Sequence, residues 1–221
     1  EKFVFQKNEL KNNFKNILKK YPNCTKAVLS SVGKLDENDI LWLKSHLNLL
    51  EIGHDSVFPF INLYGSPKTL GIDRMVLAAG AVLLYPNQNT LIIDAGTCVT
   101  YDFVTSSNEY LGGAISPGLR LRYESLHNFT AKLPLLTKKA PENFIGNTTD
   151  EAIHSGVVNG LCNEIEGFVS EYSVKNEQFT IILTGGDANF LANRLKSIIF
   201  ADENFLLKGL QQLYTYSLQN D

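Results

Sequence analysis

The chain has 221 residues, of which 44% are hydrophobic and 19% charged, with a formal net charge of −3. That balance describes an ordinary soluble globular protein. Lysines and arginines are scattered singly or in pairs apart from a Lys-rich first helix, which argues against a nucleic-acid binder, and the longest apolar run, 75–85, is too short to cross a bilayer. Cys24, Cys98 and Cys162 are far apart and form no C-x-x-C pair, the pattern of a reduced, cytoplasmic chain.

In chain order, residues 1–5 alternate as a strand does, and 8–20 carry Leu10, Phe14, Ile17 and Leu18 on one helical face before Tyr21-Pro22 stops the helix. Residues 27–33 read as a buried strand reaching a glycine turn. A second helix is expected over 36–50, with Asp36 as its N-cap. Residues 57–63 read as a strand that turns at Tyr64-Gly65-Ser66-Pro67, and 70–84 as a buried helix opened by Gly71-Ile72-Asp73-Arg74. The polar loop Pro86-Asn87-Gln88-Asn89 suggests a boundary between two domains, 1–88 and 89–221.

The second half opens with a hairpin. A β-branched run, 91–93, leads through Asp94-Ala95-Gly96-Thr97 into a segment with Val99, Tyr101 and Phe103 on one face and Cys98, Thr100 and Asp102 on the other. Then follow a Gly112-Gly113 turn, a helix over 120–129, a Pro-punctuated linker to Pro141, a helix over 149–172 and a buried strand over 179–183. A final amphipathic helix contains Phe190, Leu191, Leu195 and Ile198. Strands alternating with helices give an α/β class with an antiparallel hairpin mixed in.

Four segments have residue types suited to chemistry. In the hairpin turn, Gly96 lets main-chain N–H groups approach an anion, Thr97 adds a hydroxyl, and Asp94 supplies a hard oxygen for a cation; Asp, Gly and Thr are also plain turn formers. Gly112 to Gly118 would let main chain approach a ligand before Arg120 and Arg122, or would simply be a flexible loop and cap. Thr184-Gly185-Gly186-Asp187 joins a strand to a helix, where α/β proteins place nucleotide contacts and where an ordinary connection also fits. At Gly71-Ile72-Asp73-Arg74, Asp73 is either a first-turn acid complementing the helix dipole or a general base, with Arg74 solvated or bound to a carboxylate. The four histidines have no zinc spacing, and no G-x-S-x-G elbow occurs.

The order of these segments resembles the type III pantothenate kinases of bacteria. The resemblance lies in Tyr64-x-x-Pro67-x-x-Leu70-Gly71-Ile72-Asp73-Arg74, Asp94-Ala95-Gly96-Thr97, Gly112 to Leu119, Thr130 to Pro134, Ile145 to Thr149, Ser155-Gly156 and Thr184 to Ala188. It implies two ribonuclease H-like domains of the acetate and sugar kinase, Hsp70 and actin superfamily, assembled as a homodimer, with no nucleic-acid or membrane partner. The implied reaction moves the γ-phosphoryl group of ATP, with Mg2+, to the primary hydroxyl of pantothenate.

By position, Asp73 looks like the general base. Tyr64, Gly71, Ile72 and Arg74 look like the pantothenate pocket, with Thr149 a further contact from the same chain or a dimer partner. Asp94 looks like the ligand of a monovalent cation, K+ or NH4+. Gly96 and Thr97 look like ATP-phosphate contacts, and Gly185 and Gly186 would lie near the nucleotide. The resemblance further implies a strand and a D-x-G-N-T turn upstream of Glu1, with 1–5 on the second or third strand of the first sheet. Other readings on the same scaffold are a catalytically silent ATP-binding regulator and a kinase of another small molecule.

Overall fold

The computed structural model describes residues 2–4, 9–33, 35–176, 178–197 and 199–220. Near the start, α1 (Leu10–Lys20) precedes β1 (Lys26–Ser30), and α2 (Glu37–His46) leads to β2 (Asn48–Ile52), which pairs with β1 in parallel. The cap of α2 is as expected, since the Asp36 carboxylate accepts from Asn38 N–H at 2.8 Å. Asp36→Ala should therefore lower stability by about 1 kcal/mol. Calorimetry should register a Tm drop of about 2–4 °C in a chain of this size.

The helix stops four residues short of the expected 50, because Leu47 is already extended (φ −137°, ψ 149°) and 48–52 go to the sheet. The apolar residues Leu47, Leu49 and Leu50 suit a helical or a strand period, and pairing with β1 decides for the strand. Of the strand expected over 57–63 only β3 (Ile61–Asn62) forms, and Lys2 to Val4 have no regular structure; Glu1 and Phe5 lie outside the described residues.

After α3 (Ile72–Leu84) come β4 (Thr90–Ala95), β5 (Cys98–Val104) and β6 (Glu109–Pro117), an antiparallel meander. Gly112 and Gly113, expected in a turn, lie inside β6. The register slips opposite Phe103 and Val104, and Gly112 takes φ +96° there, a conformation glycine reaches at least cost. Next come α4 (Leu119–Asn128), an irregular stretch over 129–148, and one long helix. The long helix is built of α5 (Thr149–His154), a π-type turn over Ser155–Asn159 and α6 (Gly160–Lys175).

Strand β7 (Thr180–Thr184) then joins β4 in parallel, and α7 (Ala188–Ala192) ends before Leu195; Ile198 lies outside the described residues. The last helix is instead α8 (Phe205–Asn220), preceded by the short β8 (Phe200–Ala201), which pairs with β7. Together these strands form a six-stranded sheet in the order β3-β6-β5-β4-β7-β8.

Helices cover both faces of this sheet, which is why β4 reads as an unbroken apolar run. Leu91, Ile93, Tyr101, Phe103 and Leu183 pack under α4, α6 and α7. On the opposite face Ile92, Val104 and Ile182 pack under α3 and α8. These two helices meet at glycines: a Cβ on Gly80 would stand 2.9 Å from Gly209 Cα. No helix among the described residues is long and apolar enough to cross a membrane.

Candidate active site

The site is organised by one row across the sheet. Asp94 on β4 stands in register with Thr100 on β5 and Thr184 on β7, so the three side chains share the face that α3 covers. Thr100 Oγ1 and Thr184 Oγ1 are buried and form no hydrogen bond among the described residues. Burial, followed by the charges of Asp73 and Asp102, pushes the Asp94 carboxyl up to about 6. The first turn of α3, which holds Asp73, lies over the same face, where Ile72 packs in one cluster with Ile92 of β4.

The sign of this shift gives a test. A carboxyl whose folded pKa lies above its unfolded value favours the folded state most at low pH, and this contribution is lost as pH rises from about 4 to about 6. Asp94→Asn, in buffer without metal ions or potassium, should therefore melt higher than the parent at pH 8 and alike at pH 4. The gain is at most about 3 kcal/mol.

Three main-chain segments close around Asp94. Gly118 N–H donates to Thr97 O at 3.0 Å and Asp187 N–H to Ala95 O at 2.9 Å. A Cβ on Gly118 would stand 2.1 Å from Gly96 O, and one on Gly185, at φ +93°, 2.4 Å from both Ala95 O and Asp94 Oδ1. Only glycine permits this approach. Gly186 faces open space, and Thr97 is exposed at the tip of the β4–β5 turn.

The two arginines after this loop are both engaged. Arg122 donates Nε to Pro117 O at 2.8 Å and Nη2 to Glu164 Oε2 at 2.5 Å, and Glu164 Oε1 accepts from Tyr101 OH at 2.8 Å. Arg120 is exposed and pairs with Glu124 at 3.3 Å. Arg122 thus holds the chain before Gly118 against the sheet.

At the other side of Asp94, the Asp73 carboxylate folds back over Gly71 and accepts Arg74 N–H at 2.9 Å. Ile72 points into the core beneath α3. The Arg74 guanidinium is buried; its Nε donates to Asp102 Oδ1 at 2.9 Å, its Nη2 stands 2.7 Å from the same oxygen, and its carbon lies 5.7 Å from the centre of the Tyr64 ring. Tyr110 OH donates to Asp102 Oδ1 at 2.6 Å. Thr149 is exposed at the first position of α5, in the helical layer opposite to α3.

Tyr64, Gly71, Asp73, Arg74, Asp94, Gly96 and Gly185 are therefore brought together around one end of the sheet, whereas Thr149 stands in the other layer. Sequence reasoning passed over Asp102 and Tyr110. The signal for Asp102 was present, since an acid stood on one face of a strand buried on both.

Close-packed glycine main chain around an acid at the end of a central parallel strand pair is the setting in which α/β proteins hold phosphate groups. Residues 4–171 match the type III pantothenate kinase family. The type III pantothenate kinase of Flavobacterium johnsoniae is 58% identical over 221 residues, covering 100% of this chain and 91% of that relative. The one from Bacteroides fragilis strain YCH46 is 38% identical over 97% of this chain and 88% of its own. The chain belongs to the type III pantothenate kinase family. A solved structure, described as a Baf family transcriptional activator from Campylobacter jejuni, shares the fold, with a TM-score of 0.60 and 21% identity over 91% of this chain and 89% of its own.

Proposed function

We propose that this chain phosphorylates pantothenate with ATP in the cytoplasm, giving 4'-phosphopantothenate and ADP, the first step of coenzyme A synthesis. The observation that carries the reading is the close approach of glycine main chain to Asp94, with Asp73 folded over Gly71 at the start of the covering helix, within a chain of this family. Asp73 is the general base. As the primary hydroxyl oxygen of pantothenate bonds to the γ-phosphorus and the bond to the ADP oxygen breaks, the hydroxyl proton passes to the Asp73 carboxylate. The Arg74 N–H that Asp73 accepts fixes one of its oxygens and leaves the other for that proton.

Tyr64, Gly71 and Arg74 shape the pantothenate pocket, and Ile72 supports it from below. Thr149 reaches it from a second copy in a homodimer, consistent with its place in the other layer of its own chain. Gly96, Thr97, Gly185 and Gly186 take the phosphates and nucleotide of ATP. In this reading 1–88 and 89–221 are two ribonuclease H-like halves, with β3 and α3 of the first packed on the sheet of the second.

A cation suits Asp94. Its half-buried carboxylate feels the like charges of Asp73 and Asp102 and stands in register with the two unbonded hydroxyls of Thr100 and Thr184, all hard oxygen donors. Among the described residues no three His, Cys, Asp or Glu side chains are grouped to chelate a metal. A monovalent ion, K+ or NH4+, held by Asp94 and hydroxyl or main-chain oxygens suits this donor set. Mg2+ would travel with the ATP phosphates. When bound, these cations offset the negative charge of the transferring phosphoryl group.

The test is ADP release by the full-length protein with ATP, Mg2+ and K+, with and without pantothenate. Pantothenate-dependent ADP formation is expected; release that ignores pantothenate, or none, would overturn the reading.

A further inference from the structure

Asp102 has no part in the reaction as written, yet it is the most deeply buried acid on the α3 face of the sheet. Its side chain is fully enclosed and that of its partner Arg74 is 6% exposed. Oδ1 takes all three contacts, from Arg74 Nε, Arg74 Nη2 and Tyr110 OH, while Oδ2 forms no hydrogen bond among the described residues. Burial pushes the Asp102 carboxyl up; the Arg74 guanidinium opposes this most, followed by the hydroxyls of Tyr110 and of Thr100, the last without a well-aligned bond. The Tyr64 ring lies against both Arg74 and Tyr110, with 6.2 Å between the two ring centres.

Burying such a pair gains little stability over packed apolar side chains, so its presence calls for a geometric reason. The chain of contacts supplies one. Asp102 holds the Arg74 side chain, and the Arg74 main-chain N–H holds the Asp73 carboxylate. We infer that Asp102 is a positioning residue of the acceptor site: it locks Arg74 into the sheet, which fixes the first turn of α3 and the Asp73 carboxylate, and it neutralises Arg74. Arg74 is then a strut between β5 and Asp73, and the pantothenate carboxylate is recognised by other donors.

This inference rests on the reading of the previous subsection, and the two fail differently. An unaltered full-length protein without pantothenate-dependent ADP formation removes that reading; an active protein whose variants behave otherwise than stated removes only this inference.

The readout is a ratio of dissociation constants, which the fraction of folded protein does not change. Calorimetric binding of pantothenate is compared with that of its primary amide, an analogue of the same shape without the charge. In Arg74→Gln the ratio should stay within threefold of the parent, while kcat falls at least tenfold because Asp73 is no longer held. A larger loss of preference for the anion would mean that Arg74 binds the carboxylate directly, and an unchanged kcat would mean that it positions nothing; either overturns the inference. In Asp102→Asn the freed guanidinium should raise the preference for the anion at least tenfold and lower kcat at least tenfold, and an unmoved ratio with unmoved kcat would equally overturn it. Should Asp102→Asn fail to fold around an unpaired guanidinium, Arg74→Gln decides alone, because a buried carboxyl can take up a proton where a guanidinium cannot shed one.

Discussion

Asp73→Asn should reduce pantothenate-dependent ADP formation by about 100- to 10,000-fold, the range a positioned general base contributes. The substitution preserves shape. The amide oxygen can still accept the Arg74 N–H that Asp73 Oδ1 accepts at 2.9 Å, and the side chain can still lie over Gly71. What it removes is the capacity to take the hydroxyl proton, so kcat should fall while the dissociation constants of pantothenate and ATP change less than threefold. One negative charge beside Asp94 also disappears, which should move the Asp94 carboxyl down towards its ordinary range. The measurement is steady-state turnover together with calorimetric binding. Full activity in Asp73→Asn would sink the assignment of the base, and loss of pantothenate binding would make Asp73 a ligand first and a base second.

Those parts of the architecture that rest on local chemistry were legible in the sequence. Asp36 announced the start of α2, and the alternation in 98–104 separated two faces of β5 that the structure packs against different helical layers. The Asp94 turn, the α3 helix and the strand before Gly185 stand where their patterns put them.

What was not legible depends on partners distant in sequence. Residues 48–52 became a strand because β1 lay alongside, and Gly112 entered β6 because a register slip there needs a positive φ. The helix α8 was missed although Phe205, Leu206, Leu210 and Leu213 carry an apolar stripe that packs on α3. Within the site, segment order singled out Asp73 and Asp94, but nothing local joined Asp102 to Arg74, 28 residues earlier in the chain. The same long-range pairing sets the Arg74 side chain against Asp102 inside the fold, a contact that the neighbours of Arg74 in sequence do not announce.

Adjacent glycines in the loop after β7 should respond to alanine in opposite ways. At Gly185, where φ is +93°, a side chain is strained before any contact is counted, and its Cβ would stand 2.4 Å from the Ala95 carbonyl oxygen and from Asp94 Oδ1. The carbonyl is main chain in the central strand and also accepts Asp187 N–H, so it cannot swing aside as a surface side chain would. Gly185→Ala should therefore cost about 2–4 kcal/mol, combining a left-handed non-glycine residue with a main-chain clash. Its activity should fall at least a hundredfold even in the folded fraction, because the displaced group is the Asp94 carboxylate.

At Gly186 nothing lies within 4 Å of the added Cβ. Gly186→Ala should leave stability within about 0.5 kcal/mol of the parent. Its effect on the KM for ATP then reports on ligand contact alone. A raised KM with an unchanged melting temperature places the nucleotide against this turn, whereas unchanged kinetics would remove Gly186 from the ATP site and leave the loop's role to Gly185, which gives main chain its close approach to Asp94.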